Sequence, residues 1–217
     1  MILTLFLAEP ITSGATEVTS WFDLILKGGF VMIPIILLSF LSLFLFIERF
    51  SYLRKYTQID KTLVTSIVQE LNNSHPDKAL NHAQNDQTSI GRVFESGLDK
   101  VGKPINEIES YMETTINLEI TKMEKDTGYL GIIAGIAPML GFIGTISGVI
   151  KIFYNISLAD NISIGIIAGG LYQKMICSGA GLIVGVIAYA AYHILQLKID
   201  RFTINLQENL IKFLKVL

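Results

Sequence analysis

Three stretches of this chain run uncharged for about the length of a bilayer crossing, and between them the apolar residues thin out to every third or fourth position. The first is "GGFVMIPIILLSFLSLFLFIERF", free of charge from about Phe30 to Ile47. A hydrocarbon core ~30 Å thick takes about 17–25 apolar residues in a helix, so this stretch is just long enough. Pro34 stands near its start, where a missing backbone donor costs least. The second stretch runs from about Tyr129 to Ile150 and the third from about Met175 to Leu195. Ahead of the third, "ISIGIIAGGLYQ" reads as the outer end of the same helix or as an interfacial turn. Only "NISLADNIS" separates the two, which makes them a tight hairpin.

Outside these stretches the period is helical. Ile105, Ile108, Met112, Ile116, Ile120, Met123 and Leu130 recur at threes and fours, the spacing of one helix face. Gly128 is the only breaker before the second stretch, so one long helix is predicted to rise from the polar side into the membrane. Ile199, Phe202, Leu206, Leu210, Phe213 and Leu217 form a similar stripe on a helix continuing out of the third. Each stripe needs a partner, and a bundle within the chain or packing of subunits in a ring would satisfy it. "LNNSHPDKALNHAQNDQTS" is polar, contains Pro76 and reads as a loop between helices.

Composition supports the same picture. The 217 residues are 51% hydrophobic and 17% charged, against about 25% charged in soluble domains, and the mean hydropathy is +0.51. The fold class is therefore all-α: an integral membrane protein with three transmembrane helices, two of them extending beyond the bilayer. Lys and Arg near the span ends set orientation. Arg49, Arg54, Lys55, Lys122, Lys125, Lys198 and Arg201 outweigh Lys27, Lys151 and Lys174, which places the N-terminus outside and the C-terminus in the cytoplasm. The expected order is a periplasmic segment 1–27, a first span 28–50, a cytoplasmic helical domain 51–126, a second span 127–152, a periplasmic loop 153–162, a third span 163–196 and a cytoplasmic C-terminal helix 197–217. "MILTLFLAEP" lacks the basic start and the long core of a cleavable signal peptide. Residues 1–20 read as a short, mostly polar leader whose first turn touches the membrane surface.

Several chemistries are excluded. A net charge of −2 provides no basic face for nucleic acid. Cys177 is the only cysteine, so no intrachain disulfide forms. His75 and His82 have no acidic or cysteine partner at metal-ligand spacing, and no metal or cofactor is expected. There is no nucleotide loop and no nucleophile–base set, so the chain is not read as an enzyme. Three spans without an internal repeat argue against a secondary transporter.

The last two spans spend their apolar surface on small residues. "APMLGFIGTISG" carries Pro138, Gly141, Gly144, Thr145, Ser147 and Gly148, and the third span has Ser178, Gly181 and Gly185. In lipid, helices associate by close packing and interhelical hydrogen bonds, and glycines at four-residue spacing provide the groove. Gly141, Thr145 and Gly148 share one helix face, and Lys174, Ser178 and Gly181 share another. The hydroxyls either bond their own preceding turn or, if the faces meet around an axis, line a narrow polar path. No carboxylate lies inside a span: Glu48, Asp126, Asp160 and Asp200 stand at membrane edges. A path for protons would need another subunit to bring the acid.

These residues carry a resemblance. "IAGIAPMLGFIGTISGVIKIF" resembles the second-span signature of the MotA/TolQ/ExbB proton-channel family. "GGLYQKMICSGAGLIVGVIAYAAY" resembles its third, and "GGFVMIPIILLSFLSLFLFIERF" looks like the first span of ExbB-type members. The resemblance implies a pentameric helical ring in the bacterial inner membrane. The ring would enclose the single spans of an ExbD/TolR-like partner that carries a membrane aspartate. Force passes to a TonB-like protein for outer-membrane transport; a TolQ-like role in envelope maintenance is the alternative, and a non-conducting membrane scaffold a second. The family's pore threonines fall on Thr145 and Ser178. Its third-span glutamate falls on Gln173, with loss of charge, and beside it Lys174 replaces an alanine. Lys174 then faces the partner's aspartate or, preferably, snorkels to the outer surface.

Overall fold

The computed structural model describes residues 29–57, 61–158 and 164–217, with the backbone alone for Lys61, Ile166 and Gln173. The expected leader and most of the expected periplasmic segment lie outside these residues. Among the described residues there are seven helices and no strand: α1 (Met32–Tyr56), α2 (Lys61–Asn72), α3 (Pro76–Asn85), α4 (Ser89–Leu98), α5 (Ile105–Glu124), α6 (Thr127–Leu158) and α7 (Ile164–Leu214). Three helical runs are long and apolar enough to cross a membrane: α1, the α5–α6 run and α7. With 51 residues, α7 is about 76 Å long at 1.5 Å per residue. That is more than twice the ~30 Å hydrocarbon core, so most of its second half lies beyond the bilayer.

The buried stripe of α7 explains how one helix serves two environments. Its membrane half reads Cys177, Gly181, Gly185, Ala188 and Ala191; its distal half reads Leu195, Ile199, Phe202, Leu206, Leu210 and Phe213. The small half lets α6 approach closely. The large half holds its neighbours further off and fills a core with α4 and α5, in which the Phe94 and Phe213 rings lie 5.4 Å apart. Ile108, Met112, Ile116 and Met123 of α5 join this same core. For these residues the partner is the chain itself. At the stripe ends, Ile105 and Leu217 are exposed.

Three sequence expectations are corrected. The polar stretch with Pro76 is no loop throughout. Pro76 opens α3 at its first turn, where proline's fixed φ suits a helix start, and Ala79 and Ala83 are buried beneath it. Thr88 then caps α4 by accepting from the Gly91 amide at 3.4 Å. Next, the single long helix is two. Lys125 and Asp126 separate α5 from α6, and Asp126 has φ +63°, a left-handed conformation that Asp enters more readily than most residues. Finally, α6 continues to Leu158, so residues 153–158 of the expected outer loop are helical.

α1 lies against this hairpin. It buries Met32, Ile35, Ser42, Leu45, Arg49 and Leu53 along one face, while Leu37, Phe40, Leu43, Phe44 and Ile47 are exposed. Val31 at its head meets Gly144, and Arg49 eighteen residues later pairs with Asp126. α1 and α6 are therefore antiparallel and in register over about 27 Å of rise, close to one hydrocarbon thickness.

Candidate functional site

The α6–α7 contact is built from backbone approaching backbone. A Cβ added at Gly141 would lie 3.1 Å from both Cα and O of Ser178, and one at Gly181 would lie 2.5 Å from the Ala137 carbonyl oxygen. Gly185 faces Pro138, whose Cγ would stand 2.5 Å from such an atom, with the Ala134 carbonyl at 3.1 Å. Pro138 has no N–H to offer that carbonyl, and Gly185 lets α7 cover it. Gly144 opposes Cys177 Sγ, 2.8 Å from a built Cβ, and the aliphatic stem of Lys174 lies across Gly148.

Thr145 sits inside this contact and is half-buried. Its Oγ1 lies 3.2 Å from the Gly141 carbonyl on its own helix and 3.3 Å from the Lys174 carbonyl on α7. The hydroxyl has one proton to donate, so the two carbonyls share it. The Gly141–Thr145–Gly148 face and the Lys174–Ser178–Gly181 face thus meet each other within one chain. Ser178 is half-buried with its backbone against Gly141, and Ser147 is exposed on the opposite side of α6. The Gln173 side chain lies outside the described residues. Thr145 is level with the head of α1, because Val31 meets the adjacent Gly144.

No Asp, Glu, Lys or Arg occurs on α6 from Thr127 to Ile150, or on α7 between Lys174 and Lys198. Charge is concentrated at the other end of the spans. Arg49, 6% exposed, forms an ion pair with Asp126, and its guanidinium stands 5.5 Å from the Tyr52 ring. Beyond it lies a second cluster. Arg92 bonds Glu119, Ser89 Oγ at 3.1 Å and the Gln87 carbonyl at 2.9 Å, and Lys122 bonds the other Glu119 oxygen at 2.7 Å. Burial alone would raise the Glu119 carboxyl; hydrogen bonds from Arg92, Lys122 and Ser89 outweigh it and hold the group down at about 2.

These ion pairs escape sequence reasoning, which gives Arg49 and Lys122 only as orientation signals and Asp126 as an edge acid. The available signal is positional. An acid, Asp126, and a base, Arg49, each fall within one turn of an apolar boundary, on spans that must be neighbours. Nothing comparable marks Glu119, which looks like one of several surface acids on α5. Among the described residues no group of three or more His, Cys, Asp or Glu could hold a metal.

Several proteins are similar to this chain in sequence. An ExbB-like biopolymer transport protein of Synechocystis sp. is 29% identical over 188 residues, 83% of this chain and 72% of that protein. An ExbB homologue of Methanothermobacter thermautotrophicus is 27% identical over 176 residues, 80% of this chain and 62% of its own length. The Tol-Pal system protein TolQ of Haemophilus influenzae is 28% identical over 89 residues, 41% of this chain and 39% of TolQ. Three crossing helices and these relatives make the chain a multi-pass membrane protein. Residues 85–208, more than half the chain and including both α6 and α7 to Glu208, match the profile of one family. The chain belongs to the MotA/TolQ/ExbB proton channel family.

Proposed function

We propose that the chain is an ExbB-like subunit of an inner-membrane motor driven by the proton-motive force. It would work with an ExbD-like single-span partner to power TonB-dependent outer-membrane transport. The observation that carries this reading is the uncharged membrane half of the α6–α7 hairpin. Proton paths in membranes are marked by buried Asp, Glu or His; these two spans hold His193 but no carboxylate, so the acid belongs to a partner helix. Copies of the chain, five in the family's pattern, surround that helix. Thr145, Ser178 and Gln173 are assigned to the lining of the path, and Lys174 to the outer surface or to contact with the partner. The N-terminus is periplasmic and the α2–α5 bundle cytoplasmic, in keeping with the Lys and Arg bias at the span ends.

The test is co-expression with a small single-span protein that carries an intramembrane aspartate, followed by reconstitution in liposomes. A membrane potential then drives proton uptake that disappears when that aspartate is changed to asparagine. Proton uptake by this chain alone, or none with any such partner, overturns the reading. The match to TolQ favours a second role in envelope maintenance. A deletion strain separates the two: loss of TonB-dependent uptake supports the first, and a leaky outer membrane with normal uptake supports the second.

A further inference from the structure

A groove opens between α1 and α7 on the exposed surface of the two helices, with a volume of about 310 Å³. Ser42, Leu43 and Phe46 form one wall; Ile187, Ala190, Ala191 and Ile194 form the other. Ala190 and Ala191 make it, because small side chains leave a trough between the larger ones. It extends about 10 Å along the helices, from Ile187 to Ile194 at 1.5 Å per residue, and its walls are almost wholly apolar.

The groove ends at a cation. One turn beyond Phe46 is Phe50, their rings 5.6 Å apart, and Lys198 Nζ lies 3.5 Å from the Phe50 ring centroid. At 100° per residue, Arg54 continues the Phe46–Phe50 face of α1, and Arg201 continues the Ile194–Lys198 face of α7. Glu48 and Asp200 fall on other faces of their helices by the same count. Arg54 and Arg201 are exposed, and among the described residues neither they nor Lys198 form an ion pair. Lys198 and Arg201 stand about 6 and 10 Å beyond Ile194 along the helix axis. That is the depth of a phosphate when its acyl chain lies in the groove, because the polar layer begins where the hydrocarbon ends.

We propose that this groove holds one acyl chain of an anionic phospholipid, in the leaflet on the side of the α2–α5 bundle, with its phosphate bound by Lys198, Arg201 and Arg54. Charge complementarity selects the occupant. A neutral helix would bury the apolar walls equally well, but it would leave three cations at the groove's mouth without anions. The inference needs the membrane orientation of α1 and α7 alone and does not depend on any partner protein.

The full chain in phosphatidylcholine nanodiscs doped with phosphatidylglycerol provides the test, with retained lipid read by native mass spectrometry. Phosphatidylglycerol is retained in preference to phosphatidylcholine. Each basic residue near the surface contributes about five-fold, so Lys198→Gln with Arg201→Gln lowers that preference at least about ten-fold. Ala190→Trp fills the groove and removes the retained lipid with every cation in place. A photo-crosslinking residue in place of Leu43 captures lipid. Equal retention of both lipids, a preference unchanged in the double variant, or crosslinking of Leu43 to a second copy of the chain each overturns the proposal. Any variant that fails to fold leaves the wild-type preference and the Leu43 crosslink to decide.

Discussion

Thr145 joins two helices through one hydroxyl, and glycine makes that possible. With the Gly141 and Lys174 carbonyls 3.2 and 3.3 Å away, Thr145→Ala removes a shared hydrogen bond worth about 0.6 kcal/mol in a membrane. The variant should insert and fold normally, with a thermal midpoint in detergent little changed. Proton uptake with the partner should fall. Full uptake would remove Thr145 from the path, and failure to fold would make it a structural residue. Gly181 lies at the other extreme. Its missing Cβ would stand 2.5 Å from the Ala137 carbonyl and 3.0 Å from the Gly141 Cα, both backbone atoms that cannot swing aside. Gly181→Ala therefore forces α6 and α7 apart. Overpacking of this kind costs about 1–3 kcal/mol, and the midpoint should drop clearly although alanine favours a helix. Gly144→Leu acts in the same way, displacing Cys177 and Val31 within the chain, so it probes the hairpin rather than contact between copies.

The junction between α5 and α6 shows why elements were only partly legible. The apolar period is unbroken from Ile105 to Leu130, which says helix throughout. A tertiary contact decides otherwise: Asp126 takes a left-handed turn and presents its carboxylate to Arg49 of α1. Asp126→Asn keeps a residue that tolerates that backbone but leaves buried Arg49 with only the more distant Glu48 carboxylate, 3.6 Å away. Losing one partner of a buried pair costs about 3–5 kcal/mol. Asp126 remains partly exposed to water, so about 2 kcal/mol is expected, read as a lower midpoint that added salt does not restore. The α3 error has the opposite cause. Proline and polar residues suggest a loop, yet proline is well placed at a helix start, and two buried alanines are too few to show as a stripe. Glu119 adds a pH dependence at this scale. Its carboxyl is held at about 2 against an ordinary 4.5. The folded group thus releases its proton more readily than the unfolded one, and its stabilisation is complete above about pH 4.5 and lost as the pH falls towards 2. Glu119→Gln should flatten stability between those pH values and lower it at pH 7 by up to about 3 kcal/mol; an unchanged acid limb would mean that another carboxylate controls it.

At the scale of the whole molecule, the chain uses some glycines and leaves others free. The sequence showed that small residues crowd the last two spans but not which of them meet. Spacing identifies a face without naming what covers it, and within the chain Gly141, Gly144, Gly148, Gly181 and Gly185 are already covered. Gly135 and Gly179 are different, since a Cβ at either meets nothing within 4 Å. Beside them Ile132, Ile136 and Met139 on α6, and Met175, Leu182 and Ile183 on α7, are all exposed. A glycine in a helix interior costs about 1 kcal/mol relative to alanine, so an open glycine weakens the monomer without serving its packing. Close approach of a helix from another copy or from the partner would give that cost a purpose. Gly135→Leu and Gly179→Leu should each leave the folded chain as stable as before, or more so. In native mass spectrometry from mild detergent, the same variants should shift the proposed assembly to smaller species. Gly181→Ala should instead lower the stability of every species, monomer included. Intact assemblies in both leucine variants would place the contacts between copies elsewhere, and a destabilised monomer would show that Gly135 and Gly179 are covered by the chain itself.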